Sequence, residues 1–188
     1  MRLVPLSPSA MTAACLIGAA VTPTAAFAVD YLSAEQAAKL IFPDADRFAV
    51  REFSLGVELM RKLEQRGVRA RSARWSVKVA MRDDAVVGFV VVDDVIGKFE
   101  LISYAVGVGT DGAIRQVEIL SYRESHGHEI RLPAWRRQFI GKTSNAPLHT
   151  GEDIANISGA TLSCSHVTEG VKRIVSVIDL AQREGLLA

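Results

Sequence analysis

The sequence predicts an α+β fold, in which helices pack on an antiparallel β-sheet and the last helix is long and amphipathic. Strand-like segments follow one another between residues 75 and 120, separated by turns too short for crossover connections. Apolar residues then recur at helical spacing over about residues 165–184. The chain has 188 residues, 49% of them hydrophobic and 23% charged, so it can bury the core of one compact domain.

Residues 1–28 have the composition of a secretory signal peptide. Arg2 is the only charged residue before Asp30, and an apolar, alanine-rich stretch follows it. This layout predicts cleavage after Ala28 and one mature domain over residues 29–188, located in the periplasm or otherwise outside the cytoplasm. A retained membrane anchor is the alternative, but the apolar stretch is short for a bilayer span.

The charge and the cysteine content exclude several classes of protein. The net charge of +1 argues against a nucleic-acid-binding protein, which would carry a basic stripe. Cys15 and Cys164 are the only cysteines, and cleavage would remove the first, so the mature chain cannot form an internal disulfide. The sequence contains no Cys-x-x-Cys-His, the usual attachment motif of c-type haem.

Two short helices are expected before the sheet. Ser33 can cap a helix over residues 33–40, and Pro43 ends it. The second helix is expected at residues 57–65, followed by Gly67.

The antiparallel sheet should have about four to six strands, and the sequence locates four of them. They are expected at residues 75–81, 86–92, 99–108 and 114–120. The second is continuously apolar and β-branched, as in a central strand buried on both faces. Asp93 and Asp94, with Gly97, should break the chain after it, and Thr110-Asp-Gly112 should form a hairpin turn.

The remaining elements lead to the last helix. A short helix is expected at residues 131–139, and a loop at residues 145–153. The last helix should run from about Ser165 to Glu184 and end at Gly185. Its apolar face is made by Val167, Val171, Ile174 and Ile178.

The segment Ile157-Ser-Gly-Ala-Thr-Leu-Ser163 stands just before that helix. A helix N-terminus offers unpaired N–H groups and the positive end of the helix dipole, so it favours a phosphate. Small residues leave room for a bulky group, and three hydroxyl side chains lie nearby. From the residues alone, a small-residue turn with a Ser or Thr helix cap is favoured over a phosphate site.

Ser158-Gly-Ala-Thr-Leu-Ser163, followed by a long amphipathic helix, resembles the flavinylation motif of the FMN-binding domain family. That family includes the FMN-carrying C subunit of the sodium-translocating NADH:quinone reductase, the G subunit of the Rnf complex, and small exported single-domain proteins. The resemblance implies that Thr161 carries FMN through a phosphoester bond. It also implies a partner, an exported flavin transferase that uses FAD and magnesium and releases AMP.

A second match lies upstream. Tyr122-Arg-Glu-Ser-His-Gly127 resembles the Glu-x-x-Gly loop of the same family, which lies near the flavin, and Phe139-Ile-Gly-Lys142 resembles its Phe-x-Gly-Lys segment. Glycine at position 127 would let the backbone pass close to the isoalloxazine ring. Many members carry an acidic residue six places before the threonine, where this chain has Ala155. The residues expected at the cofactor are Glu124, Gly127, Ser158, Gly159, Ala160, Thr161, Leu162 and Ser163.

The resemblance implies an electron carrier that exchanges electrons with a membrane or periplasmic donor and acceptor. The sequence shows no acid–base pair or nucleophile constellation that would indicate a stand-alone enzyme. His126 and His128 lack a clear third ligand, so no metal site is predicted, and Cys164 is expected to be buried and inert. The alternative function is a flavin-free exported module that binds or regulates an envelope protein.

Overall fold

A computed structural model describes residues 29–187 of the chain. The predicted signal peptide, residues 1–28, lies outside the described residues. Within the described range, none of the helices combines the length and the apolar character needed to cross a membrane.

The fold is α+β, as predicted, and is built on a six-stranded antiparallel sheet. The strands are β1 (Val29–Asp30), β2 (Arg47–Ser54), β3 (Arg74–Arg82), β4 (Ala85–Ile96), β5 (Leu101–Gly109) and β6 (Ile114–Tyr122). Their order across the sheet is β1-β6-β5-β4-β3-β2. The helices are α1 (Ala34–Ile41), α2 (Val57–Gln65), α3 (Pro133–Arg136) and α4 (Thr161–Arg183).

Helices cover both faces of the sheet. Adjacent residues of β4 belong to two separate apolar clusters. Val91 is in the cluster that includes the buried residues of α4, and Val90 is in the cluster that includes those of α1. Successive strand residues point to opposite faces, so the two clusters lie on opposite sides of the sheet. The predicted apolar face of α4 is confirmed, because Val167, Val171, Ile174 and Ile178 are all fully buried.

The predicted break is correct at Gly97, where β4 has ended, but wrong at Asp93 and Asp94, because β4 continues through both to Ile96. The Asp93 carboxylate accepts hydrogen bonds from Tyr104 Oη at 3.0 Å and Arg173 Nη2 at 2.8 Å. A carboxylate with two such partners can remain in a sheet. The turn therefore comes later, at residues 97–100, and Phe99 lies in it rather than in β5.

The sequence analysis missed β2, which pairs with β3 at the edge of the sheet. Six of its eight residues are exposed and the other two are half-buried. An edge strand that is open on both faces does not need alternating apolar residues, so it leaves no period-2 pattern in the sequence.

The single helix predicted for residues 131–139 is also wrong. The chain forms a 3₁₀ turn at His128–Arg131, the four-residue α3, and a second 3₁₀ turn at Arg137–Phe139. Leu132 is extended, as the residue before a proline tends to be, and this interrupts the helix. Of the apolar residues expected on this helix, Trp135 and Phe139 are buried with ring centroids 5.1 Å apart, whereas Leu132 is exposed.

The loop before the motif is held by Asp153. Its carboxylate accepts hydrogen bonds from the N–H groups of His149 at 2.8 Å and Leu148 at 3.2 Å, and pairs with Lys142 Nζ at 2.9 Å. Leu148 is buried with a φ of +44°, a conformation that costs free energy for a leucine. Asp153 therefore stabilises a strained turn, and its carboxylate is bonded to groups of this loop and to Lys142.

Acid should weaken this loop. Burial alone would raise the pKa of Asp153, but the hydrogen bonds from His149, Lys142 and Leu148 hold the pKa below its ordinary value. Because the pKa of Asp153 is lower in the folded than in the unfolded chain, its ionised carboxylate stabilises the fold at pH values above the unfolded pKa of about 3.9. That stabilisation is lost as the pH falls through the pKa of the folded state. We expect Asp153→Asn to be less stable than wild type at pH 7 and to lose less stability between pH 5 and pH 2. Denaturant unfolding at several pH values measures this.

Glu152→Gln is the matched control for that experiment. It removes an exposed carboxylate one residue earlier, outside the hydrogen-bond network, and should leave stability at pH 7 unchanged. Equal acid sensitivity in Asp153→Asn and wild type would show that this carboxylate does not hold the loop.

Candidate functional site

The two sequence motifs meet in one cleft of about 360 Å³. Its lining is Lys98, Phe99, Glu124, Ser125, His126, Gly159, Ala160, Thr161, Leu162 and Ser163. Another cleft, of about 390 Å³, lies between β2 and β3, so volume alone does not select the site. We select the first of these two clefts as the candidate site because residues of both motifs line it, whereas neither motif lines the second.

The cleft lies at the N-terminus of α4, which begins at Thr161, four residues earlier than predicted. The first intrahelical bond runs from the Cys164 N–H to the Ala160 carbonyl at 2.9 Å. The N–H groups of the three preceding residues therefore have no partner within the helix. No side chain caps this end, and its first turn contains no acidic residue. Such an end is suited to bind a phosphate.

Thr161 is the hydroxyl best placed for attachment. Its side chain is exposed at the cleft, and its Oγ1 accepts a hydrogen bond from Asn156 Nδ2 at 3.1 Å. Ser163 is buried, with its Oγ 3.4 Å from Tyr122 Oη, so it faces the protein interior. Ser158 is exposed on the preceding turn but does not line the cleft.

Different structural constraints select a small residue at Gly159 and at Ala160. Gly159 has a φ of +81°, and a Cβ there would meet no atom within 4 Å, so the backbone conformation selects glycine. Ala160 is buried against Gly127. A Cβ at position 127 would lie 2.2 Å from the Ala160 Cβ and 2.7 Å from Tyr122 Oη. Gly127 thus lies behind the cleft wall, where it joins the Glu-x-x-Gly loop to the start of α4.

Glu124 is buried and holds the turn between β4 and β5. Its Oε1 accepts hydrogen bonds from the N–H groups of Phe99 at 2.6 Å and Glu100 at 3.0 Å. Burial alone would raise the pKa of Glu124, but hydrogen bonds from the backbone of Glu100, Phe99 and Lys98 outweigh it and hold the pKa below its ordinary value. The carboxylate therefore stays ionised at neutral pH and accepts hydrogen bonds from the backbone of this turn.

Three residues near Thr161 lie outside the two sequence motifs: Lys98, Phe99 and Asn156. Phe99 is 75% exposed at the cleft, and Lys98 Nζ lies 4.9 Å from the centroid of its ring. Only Gly97, a turn-forming residue just before them, could have indicated that the strand ends there and that Phe99 is exposed.

Residues 97–176 match the model of the FMN-binding domain family. The match includes both motifs, and it confirms the resemblance on which the prediction of FMN rested. No curated protein matches the chain by sequence.

The fold of the chain is similar to a solved structure. The crystal structure of NqrC from Shewanella oneidensis superposes with a TM-score of 0.50 and 15% sequence identity. The similarity covers 71% of this chain and 80% of that chain. At this identity the similarity is one of fold.

The residues that line the cleft fit FMN. The uncapped end of α4 suits the phosphate, and the exposed Thr161 hydroxyl lies beside it. A volume of about 360 Å³ falls within the range of small-molecule sites, and Phe99 and Leu162 add apolar surface for a flat ring.

The other reactive side chains near the cleft have structural partners. His126 lines the cleft with its Nδ1 2.9 Å from Ser125 Oγ, and His128 packs edge-on against Tyr122 at 5.4 Å. Over residues 29–187, no three His, Cys, Asp or Glu side chains lie close enough together to hold a metal ion. Cys164 is fully buried, and burial raises the pKa of its thiol, which fits the predicted inert role.

Proposed function

We propose that this protein is an exported flavoprotein that carries FMN covalently on Thr161 and transfers electrons between a membrane or periplasmic donor and acceptor. The observation that carries the proposal is the exposed Thr161 hydroxyl at the uncapped N-terminus of α4, inside the cleft of an FMN-binding domain. The proposed mature domain covers residues 29–188.

The attachment chemistry balances as a phosphoryl transfer. The Thr161 Oγ1 forms a bond to the FMN phosphorus of FAD, and the pyrophosphate bond to the AMP half breaks. The hydroxyl proton leaves with AMP. The flavin transferase and its magnesium supply the catalysis, so this chain needs only to present the hydroxyl. The hydrogen bond from Asn156 Nδ2 orients that oxygen without taking its proton.

The residues of this chain then hold the attached group. The free N–H groups at the start of α4 bind the phosphate, where the helix dipole stabilises its negative charge. FMN itself supplies the reversible uptake and release of electrons. The cleft stays open on one side, so a redox partner can approach. Outside the cytoplasm a covalent link prevents loss of the cofactor by diffusion.

Intact mass after denaturation tests the proposed function. Protein exported from a host that contains the flavin transferase should be heavier than the mature chain by one FMN less one water. Protein from a host without the transferase should have the mass of the bare chain. A colourless protein of unmodified mass in both hosts would support the alternative, a flavin-free binding or regulatory module of the envelope.

Export is tested by the N-terminus of the native protein. Cleavage after Ala28 should give a mature chain that begins at Val29, in the extracytoplasmic fraction. Ala28→Arg should block cleavage, since this position requires a small residue, and the precursor should accumulate. Wild-type protein that retains Met1 in the cytoplasm would contradict export.

A further inference from the structure

The turn between β4 and β5 exposes an aromatic ring beside the attachment residue. Phe99 is 75% exposed, and it lines the same cleft as Thr161. Lys98 Nζ lies 4.9 Å from the centroid of the Phe99 ring, so an ammonium group covers part of the ring. With three-quarters of the residue exposed, ring surface is left for a ligand. An isolated exposed aromatic residue needs no explanation, but the backbone beneath this one is fixed.

Three elements of the fold fix that backbone. The Glu124 carboxylate accepts from the N–H groups of Phe99 and Glu100, and the Gly97 N–H donates to the Glu100 carbonyl at 2.8 Å. Gly97 is buried between Glu124 and Ser163, and a Cβ there would lie 2.6 Å from the carboxylate and 3.0 Å from Ser163 Oγ. The turn, the Glu-x-x-Gly loop and the first turn of α4 therefore interlock.

A buried carboxylate that holds the N–H groups of an exposed turn fixes where Phe99 lies relative to Thr161. We propose that Phe99 is the aromatic surface on which the isoalloxazine ring of the bound FMN stacks, and that Glu124 is a positioning residue that acts through Phe99. This inference rests on the proposed function for the presence of FMN. It assigns Glu124 a different role from direct contact with the ring, because its Oε1 already accepts two backbone hydrogen bonds.

Flavin fluorescence in the loaded, full-length protein tests the contact, because a stacked aromatic ring quenches it. Phe99→Ala should increase the fluorescence per bound flavin, and Phe99→Trp should decrease it. The fluorescence per bound flavin should rise roughly two- to tenfold in Phe99→Ala, the factor that corresponds to the loss of one aromatic contact. Phe99→Leu separates stacking from apolar bulk and should behave like Phe99→Ala.

Val57→Ala is the matched control. Val57 is an exposed apolar residue, 86% accessible, on α2 and away from the cleft, so its removal should leave the fluorescence unchanged. The covalent flavin on each variant is measured after denaturation, and the fluorescence is expressed per attached flavin, so that a variant with less flavin is still compared correctly with wild type. Unchanged fluorescence per flavin in both Phe99→Ala and Phe99→Trp would overturn the inference.

A double-mutant cycle tests the positioning role. Glu124→Gln should increase the fluorescence of the wild type but add nothing to Phe99→Ala, since Glu124 acts only through Phe99. Additive effects would contradict that role and indicate a separate contact or a general loosening of the fold. If wild-type protein holds FMN only non-covalently, the covalent function fails, while the fluorescence test still decides the stacking contact. Protein that takes up no FMN in either form overturns both.

Discussion

Replacement of Thr161 by alanine should abolish the flavin that survives denaturation. The substitution removes the only hydroxyl that both lines the cleft and is exposed at the free N-terminus of α4. Intact mass should return to that of the bare mature chain, and denatured protein on a gel should lose its flavin fluorescence. Because Thr161 is exposed and its hydroxyl is hydrogen-bonded within residues 29–187 only to Asn156, the free energy of unfolding should change by less than about 1 kcal/mol.

Three variants control this experiment. Thr161→Ser keeps the oxygen and loses one methyl group, so partial loading is expected. Ser163→Ala should retain the full link, because Ser163 Oγ faces Tyr122 in the interior. Ser158→Ala should also retain it, since Ser158 lies outside the cleft lining. Full occupancy of denaturation-resistant flavin in Thr161→Ala would show that the attachment point is elsewhere, and Ser158, the other exposed hydroxyl of the motif, would be the next to test.

Replacement of Gly127 by valine should destabilise the domain and reduce loading together. Gly127 has a φ of +84°, which is strained for valine, and a Cβ would overlap the Ala160 Cβ at 2.2 Å. The backbone strain costs about 1–3 kcal/mol and the overlap a further 1–3 kcal/mol. Ala160 is the N-cap of α4, so a shift there displaces the N–H groups that receive the phosphate. Denaturant unfolding and the fraction of loaded protein measure the two effects.

Gly141→Val separates backbone strain from the contact with Ala160. Gly141 has a φ of +79°, and its Cβ would meet nothing within 4 Å, so this variant carries only the backbone cost. It should be less destabilised than Gly127→Val and load normally. Ala160→Gly should partly rescue Gly127→Ala by removing the overlapping atom. Equal losses in the two valine variants would mean that the contact between Gly127 and Ala160 contributes nothing.

Several local features follow from sequence patterns over a few neighbouring residues. The helical period of α4 and its buried face, the cap at Ser33, and the turn at residues 110–112 all agree with the structure. The Ser-Gly-Ala-Thr segment could be placed at a helix start for the same reason. Propensity, periodicity and capping act over a few residues, so one sequence is enough to predict them.

Errors arose where distant contacts outweighed local preference. The Asp93-Asp94 pair resembles a turn, yet Asp93 remains in β4 because Arg173, on α4, and Tyr104, on β5, satisfy its carboxylate. The edge strand β2 has no local pattern, and its hydrogen bonds with β3 define it. Neither the partners nor the pairing can be inferred from the flanking residues.

The sequence by itself determined the fold class, the family to which the motifs point, and Thr161 as the attachment residue to test. Only the tertiary structure decided what the surrounding residues do. It placed Gly127 behind Ala160 rather than in the cleft lining, used Glu124 to hold a backbone turn, and brought Phe99 to the cleft. A motif records which residues are needed, but their roles depend on which atoms the folded chain brings within contact distance. Those distances are set by the packing of α4 on β4 and β5, from which it is far apart in the chain.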